Sequence, residues 1–356
     1  MQQVKAQHVS PGTGYQIGQS IWVPDNSELI GSFLMEMSSP GGNGTTWTYS
    51  FWVKCNYPAK DDNKTYLSSS VDSTDYSSLT AWDVGNGMTP AMDNTKWSDK
   101  WSMTCHDDNG DYIVIPYDNK WHHMVYQFDS TEGVEQDRLK ISLDGILYPW
   151  THGSGSWSGN INHNSTTWID NPMVHLFCNE EFRSFRTPPS YIAECNFISG
   201  QSLGPEHFAL ESGTKWLPIP YDGDYGASGW HLAFEDADNL GEDSSSNGND
   251  FVQVENVTLD NSVEDSPTNN WCTLDFVDYT DPSYSHGDLT TSGGSTGITF
   301  PDADGKWYYE KDGVGVKVDG VVTLTDDAGT YNFGQRTFAS PVPAGYRAIN
   351  SLNTGE

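Results

Sequence analysis

Positive charge is scarce in this chain. Only 17 Lys and Arg stand against 49 Asp and Glu, a formal net charge of −32. That balance argues against nucleic-acid binding, because neutralising phosphates takes clustered Lys and Arg. It suits solubility in a saline medium and can draw cations. Cysteine is scarce too. Cys55, Cys105, Cys178, Cys195 and Cys272 are too few and scattered for a disulfide framework, and no CxxC or Cys/His ligand spacing occurs. They read as buried thiols of a protein made in a reducing cytoplasm. No run approaches the ~18 apolar residues of a membrane span. The opening MQQVKAQHVSPGTGYQ holds no apolar core of a secretory signal. Helical runs rich in Leu, Ala, Glu and Lys are also missing, which leaves an all-β chain.

Aromatic residues are abundant, with 14 Trp and 18 Tyr, enough for a large core. The segment Lys120 to Tyr148 shows how it is organised. Met124, Tyr126 and Phe128 share one face of a predicted strand, opposite His123, Val125 and Gln127. After a polar loop, Leu139, Ile141 and Leu143 alternate with Lys140, Ser142 and Asp144, and Asp144-Gly145 supplies a positive-φ turn into Ile146-Leu147-Tyr148. Half-buried strands of this kind need a second sheet to cover them, which predicts a β-sandwich.

Along the chain, residues 1–14 form a polar arm and Tyr15 to Leu34 the first strands. Trp47, Tyr49, Phe51, Val53 and Cys55 share one face of a strand. DVGNGMTPAMDNTKWSDK (83–100) reads as a long loop, and Asn109-Gly110 as a hairpin turn between Trp101–His106 and Tyr112–Ile115. Residues 149–170 read as a second loop, rich in Gly, Ser, Asn and Trp. Strands are predicted over Met173–Phe177, Tyr191–Ile198, Trp230–Phe234 and Phe251–Val254, with a short 3₁₀ turn in GQSLGPEHFA.

Trp121-His122, Arg138-Leu139-Lys140 with Gly145, and the run Ala193-Glu194-Cys195-Asn196-Phe197-Ile198-Ser199-Gly200-Gln201 carry a resemblance. In that order they resemble the laminin-G-like branch of the concanavalin A-like jelly rolls. More narrowly, they are similar to the version in structural proteins of marine tailed phages, as are WTYSFWVK (47–54) and the later run WLPIPYDGDYGASGWHLAFEDADNLGEDSSSNGNDF with DSPTNN. GKWYYE (305–310) and YNFGQRTFASPVPAGYRAIN resemble the two ends of a SPRY-like sandwich, but too few residues separate them for a full domain. The implied organisation is an arm at 1–14, a laminin-G-like β-sandwich at 15–212, a linking strand and acidic loop region at 213–274, and a shortened SPRY-like β segment at 275–356.

Catalytic patterns are weak. Retaining glycosidases need two carboxylates about 5 Å apart; Glu135 with Asp137 and Glu235 with Asp236 and Asp238 are the nearest approaches, neither on an alternating strand. His122 and His123 read as structural, since no G-x-S-x-G elbow accompanies them. Asp236 and Asp238 open an EF-hand-like loop, but Leu240 takes the third ligand position and no Glu follows at the twelfth. The laminin-G resemblance implies calcium held at the rim through loop Asp; Asx-turns in a solvated loop are the other reading of Asp236 and Asp238. Sugars offer apolar faces to Trp and hydroxyls to Asp and Asn. The candidate glycan contacts are therefore Trp82, Asp83, Trp97, Trp101, Trp157 and Asn160, with Asn86 and Asn94 beside them.

Taken together, these readings imply a non-enzymatic, lectin-like virion structural protein of a tailed bacteriophage, in a tail fibre or appendage or as capsid decoration. Its expected partners are other virion proteins, copies of itself in a homo-oligomer and a cell-surface glycan. A purely architectural subunit that binds no sugar is the alternative, and a polysaccharide-degrading glycosidase the third.

Overall fold

Trp47, Tyr49, Phe51, Val53 and Cys55 are all fully buried, as one-sided alternation along a strand requires. Around that strand the computed structural model builds two large antiparallel sheets. It describes residues 14–24, 33–55, 64–72, 75–95, 100–107, 109–118, 120–154, 158–169, 173–177, 190–213, 215–236 and 238–268, and beyond these only short strands. Most of the 1–14 arm therefore lies outside the described residues, as do Cys178 and Cys272.

The first strands are β1 (Ser20–Val23), β2 (Leu34–Ser38), β3 (Thr46–Lys54), β4 (Lys64–Asp72), β5 (Asp75–Asp83) and β6 (Gly87–Asn94). There follow β7 (Trp101–Cys105), β8 (Ile115–Pro116), β9 (Trp121–Asp129), β10 (Leu139–Leu143), β11 (Ile146–Tyr148), β12 (Trp150–His152) and β13 (Met173–Leu176). The last of the sandwich are β14 (Ser190–Ser199), β15 (Ala209–Ser212), β16 (Lys215–Pro218), β17 (Trp230–Leu232), β18 (Val252–Glu255) and β19 (Ser262–Val263). The eight-stranded sheet runs β11-β10-β9-β3-β14-β1-β19 with β17 also on β14. The nine-stranded sheet runs β12-β7-β6-β5-β4-β13-β2-β18 with β8 on β6.

Between them lies one apolar layer. The register sets Trp47 opposite Phe128, Tyr49 opposite Tyr126 and Phe51 opposite Met124. Trp47 and Phe128 stack with centroids 5.4 Å apart. From the other sheet come Met35, Leu67, Leu79, Met92, Met103, Trp101 and Leu176. Leu139, Ile141 and Leu143 also face this core. The second face of β9 is not left to water: Val125 packs with Ile198 and Phe208, and Trp52 with Ala209 and Trp216, under the β15–β16 hairpin. Cys55, Cys105 and Cys195 are free and buried, and burial lifts each thiol to about 12.

Two expected loops contain strands. Within 83–100, Gly87–Asn94 is β6, an interior strand buried along its whole length. A strand covered on both faces shows no alternation, which hides it from periodicity. Pro90 is tolerated because β7 pairs only with Ala91–Asn94 and β8 only with Gly87 and Met88, so Pro90 falls in the gap between those partners. Within 149–170, Trp150–His152 is β12, with Trp150 in the core. The Asn109-Gly110 turn forms, with Gly110 at φ 88; its return strand β8 pairs with β6, and the His106–Tyr112 bridge with the Ile113 N–Cys105 O hydrogen bond joins the two sides of the turn.

Residues beyond 212 complete both sheets. β17 joins β14, β18 edges the nine-stranded sheet and β19 edges the other. The segment Asp265-Ser266-Pro267-Thr268 is clasped to the start of the chain. Ile17 N donates to Thr268 Oγ1 at 2.9 Å and Ser266 Oγ donates to Ile17 O. Lys54 and Asp265 form an ion pair at 2.5 Å with both side chains fully buried. Trp121 Nε1 donates to the other carboxylate oxygen at 3.0 Å, and Lys54 Nζ lies over the Tyr191 ring. Further on, Lys306–Lys311 pairs with Val314–Asp319 and with Arg347–Ile349, in a four-stranded sheet completed by Arg336–Phe338.

Candidate functional site

Strand alternation leaves the nine-stranded sheet a second face, turned away from the core, and that face is polar. Glu36, His175, Ser68, Ser78, Asp93 and Ser102 stand opposite one another on β2, β13, β4, β5, β6 and β7, in one row across the sheet. Thr65, Thr80, Ala91, Thr104 and Thr151 form the next row. Trp82 and Thr89 pair beyond it. The core-facing residues between them (Leu67, Leu79, Met92, Met103) fix this orientation.

These hydroxyls are buried although they lie outside the core: Ser78 is 0% exposed, Thr80 1% and Ser102 3%. Thr65 Oγ1, Ser78 Oγ, Thr80 Oγ1, Ser102 Oγ and Trp82 Nε1 have no hydrogen-bond partner among the described residues. A buried polar atom left bare costs about 1–3 kcal/mol, so several on one face call for an explanation. His175 Nε2 is 3.9 Å from Glu36 Oε2 at the margin, where the Glu36 side chain is 33% exposed. No Lys or Arg stands in either row.

The structure sorts the expected glycan contacts. Trp82 lies on this face, half-buried, at the end of β5. Asp83 follows it, and its Oδ1 accepts from Gly85 N in the turn to β6. Trp101 is corrected: it is 0% exposed and stacks on Phe128 at 6.1 Å, so it is a core ring. Its partner across the isolated bridge is Ser158, and Asn160, two residues on, is exposed. Asn86 is exposed in the β5–β6 turn. Asn94 is buried toward the core and accepts from Ser77 Oγ. Trp97 and Trp157 lie outside the described residues.

Sequence reasoning passed over the hydroxyl row. Its signal is present in Ser78-Leu79-Thr80-Ala81-Trp82, where small polar residues alternate with apolar ones. Such a strand reads as facing solvent, and only the pairing shows that several align.

Asp236 and Asp238 do not converge on a cation. Asp236 Oδ1 accepts from Asp238 N at 2.8 Å, an Asx-turn. Among the described residues no group of three or more His, Cys, Asp or Glu is placed to hold a metal ion. Asp243 likewise serves its own loop, accepting from His231 N, Ser245 N and Asn249 N. Glu135 accepts from Ile161 N.

On the other sheet, Glu194 sits at a bulge of β14 with φ 51. Its carboxylate meets His231 Nε2 at 2.9 Å and is hydrogen-bonded by Tyr15. Tyr225 stacks beside His231 and donates to Asn196 Oδ1. Burial first, and then the Glu194 charge, push both tyrosines well above the ordinary phenol value.

No family model matches the chain, and no curated protein matches it. Among solved structures it is similar to a putative carbohydrate binding protein from Bacteroides ovatus, with 12% identity and a TM-score of 0.39 over 67% of this chain and 58% of that one. It is similar to domains LG4-5 of the mouse laminin alpha1 chain, with 12% identity and a TM-score of 0.33 over 62% and 52%. The enzymatically active domain of tailspike protein 2 of bacteriophage CBA120 aligns at 8% identity and a TM-score of 0.35 over 58% and 30%. The chain thus spans 58% or less of the length of each of these three. The chain itself is an all-β sandwich built on two large antiparallel sheets.

Proposed function

We propose that this chain is a non-enzymatic virion structural protein of a tailed bacteriophage, in a tail fibre or as capsid decoration, whose sandwich binds a glycan at the rim of its nine-stranded sheet, beside Trp82. The observation that carries the binding reading is the half-buried Trp82 ring at the end of β5, with Asp83 next to it and Asn86 exposed in the following turn. The Trp82 ring offers an apolar face to sugar C–H groups, and Asp83 and Asn86 offer polar partners to hydroxyls. With Asp83 beside the ring, the rim suits a neutral glycan better than a carboxylated or sulfated one. The virion reading rests on the resemblance of Trp47–Lys54, Trp121–Gly145 and Ala193–Gln201 to marine phage structural proteins.

The test is a glycan array followed by titration calorimetry on the full chain. Neutral polysaccharide should bind, and Trp82→Ala and Asn86→Ala should each weaken it by about tenfold or more, the loss of roughly 1.4 kcal/mol, with an unchanged circular dichroism spectrum. A blank array, or binding indifferent to both substitutions, would remove the glycan reading and leave the architectural one. Reducing-sugar release abolished by amidating a single acid would establish the glycosidase instead.

A further inference from the structure

We propose that the Lys54–Asp265 clasp is a self-crosslinking site, at which the lysine amine and the aspartate carboxyl condense into an amide that joins β3 to the segment after β19. Lys54 Nζ stands 2.5 Å from Asp265 Oδ2, with both side chains fully buried. The strand register sets Trp121 of β9 on one side of Lys54 and Tyr191 of β14 on the other. Both rings are buried and wall the pair, the Tyr191 centroid lying 5.2 Å from Nζ. Asp265 is held in place by its neighbours Ser266 and Thr268, which are buried and hydrogen-bonded to Ile17. An amine and a carboxyl kept in contact by fixed surroundings meet the proximity condition for reaction.

Burial also favours the product. In water an ammonium and a carboxylate are well solvated, and their condensation is uphill. Inside the protein both ions have lost that solvation, a cost that their attraction need not offset. A neutral amide escapes it, and the water released leaves for solvent. The reaction balances within the pair. Nζ passes one proton to Oδ2, which sets a neutral amine beside a carboxylic acid. The nitrogen lone pair then bonds to Cγ, and the carbonyl electron pair moves onto Oδ1. Trp121 Nε1 donates to Oδ1 at 3.0 Å, where it stabilises that developing charge. The nitrogen gives a second proton to Oδ2, the Cγ–Oδ2 bond breaks, and one water departs. The ammonium and carboxylate together hold the atoms of one amide and one water, so no co-reactant enters.

Mass spectrometry of the full chain under denaturing conditions tests this. The wild type should be lighter than its sequence by one water. Lys54→Arg and Asp265→Ala each lack one reacting group and should keep their full sequence masses. Digestion should yield a branched fragment in which Lys54 is joined to Asp265, and trypsin should no longer cut after Lys54. Trp121→Phe keeps a ring and removes the donor to Oδ1. With an unchanged circular dichroism spectrum, it should lose the water about a hundredfold more slowly in freshly made protein. A wild type at its full mass overturns the proposal. So does a water lost within a single tryptic fragment, which marks an aspartyl succinimide instead, or a loss that persists in Lys54→Arg. A Trp121→Phe chain that links as fast as the wild type overturns the mechanism.

Discussion

His122 and His123 are consecutive on β9 yet are held in opposite charge states. His122 lies between two carboxylates, with Nδ1 2.7 Å from Asp144 Oδ2 and Nε2 3.1 Å from Asp118 Oδ1. Burial alone would lower its pKa, but the hydrogen bonds and charges of Asp118 and Asp144 outweigh it and lift the ring to about 9. Asp118 is held below the usual carboxylate range: burial acts to raise it, and the His122 hydrogen bond overcomes that. His123 points the other way from the strand, where Trp216 Nε1 donates to its Nδ1 at 2.9 Å and Ser50 Oγ meets Nε2 at 2.8 Å. Burial drops it to about 3, so it is neutral.

A pH profile follows from that contrast. Between 6.5 and about 9 the folded chain holds a proton on His122 that the unfolded chain has lost, so stability falls as pH rises through this window. Between 6.5 and about 3 the unfolded chain carries a proton on His123 that the folded chain refuses, so stability falls as pH drops. Each limb has a slope of up to about 1.4 kcal/mol per pH unit. Urea midpoints should show His122→Gln flattening the alkaline limb while the acid limb remains. An alkaline limb unchanged in that variant would contradict the assignment.

The buried Lys54–Asp265 pair should respond non-additively. Lys54→Met or Asp265→Asn alone strands a partner without water and should cost about 3–5 kcal/mol. The double variant removes both charges and keeps an oxygen for Trp121 Nε1, so it should cost clearly less than the sum. Chemical denaturation of the four chains measures the coupling.

Trp82 and Trp101 should part company. Trp101→Ala empties a core site beside Phe128 and should cost about 3–5 kcal/mol, dragging any binding down with the fold. Trp82→Ala removes a half-buried ring at a strand end and should cost far less stability while weakening glycan binding by about tenfold or more. Melting and calorimetry on the same samples separate the two.

Gly145 links the β10–β11 turn to His123. It has φ 79, and a Cβ there would lie 2.8 Å from the Trp216 ring. Gly145→Ala should cost roughly 1–3 kcal/mol from strain at positive φ. It should also push Trp216 off His123 Nδ1 and let that ring protonate more easily, so the acid limb of the pH profile should end above about pH 3 and lose amplitude. An unmoved acid limb would show that Trp216 does not guard that ring.

The core was legible in the sequence wherever one face of a strand is apolar. Trp47, Tyr49, Phe51, Met124, Tyr126, Phe128, Leu139 and Ile141 all point inward as the alternation predicts. Legibility failed where both faces are covered. β6 reads as a loop because Met88, Thr89, Pro90, Ala91 and Met92 are all buried and show no period. Trp101, at the start of the expected strand Trp101–His106, reads as a sugar contact because that strand is short and lies among polar turns, and only the fold shows its ring on the core side. The hydroxyl face was invisible for a different reason: Ser68, Ser78, Asp93 and Ser102 come from four strands, and only their register makes them neighbours.

The Lys54–Asp265 clasp also sets an order on how the protein can be made. Ile17 waits for a bond to Thr268, a residue 251 positions later, and β1 cannot gain its outer neighbour until β19 has left the ribosome. Throughout that interval the growing chain carries an open sheet flank beside β1, so β1 and Lys54 can take their final places only after residues 262–268 have emerged.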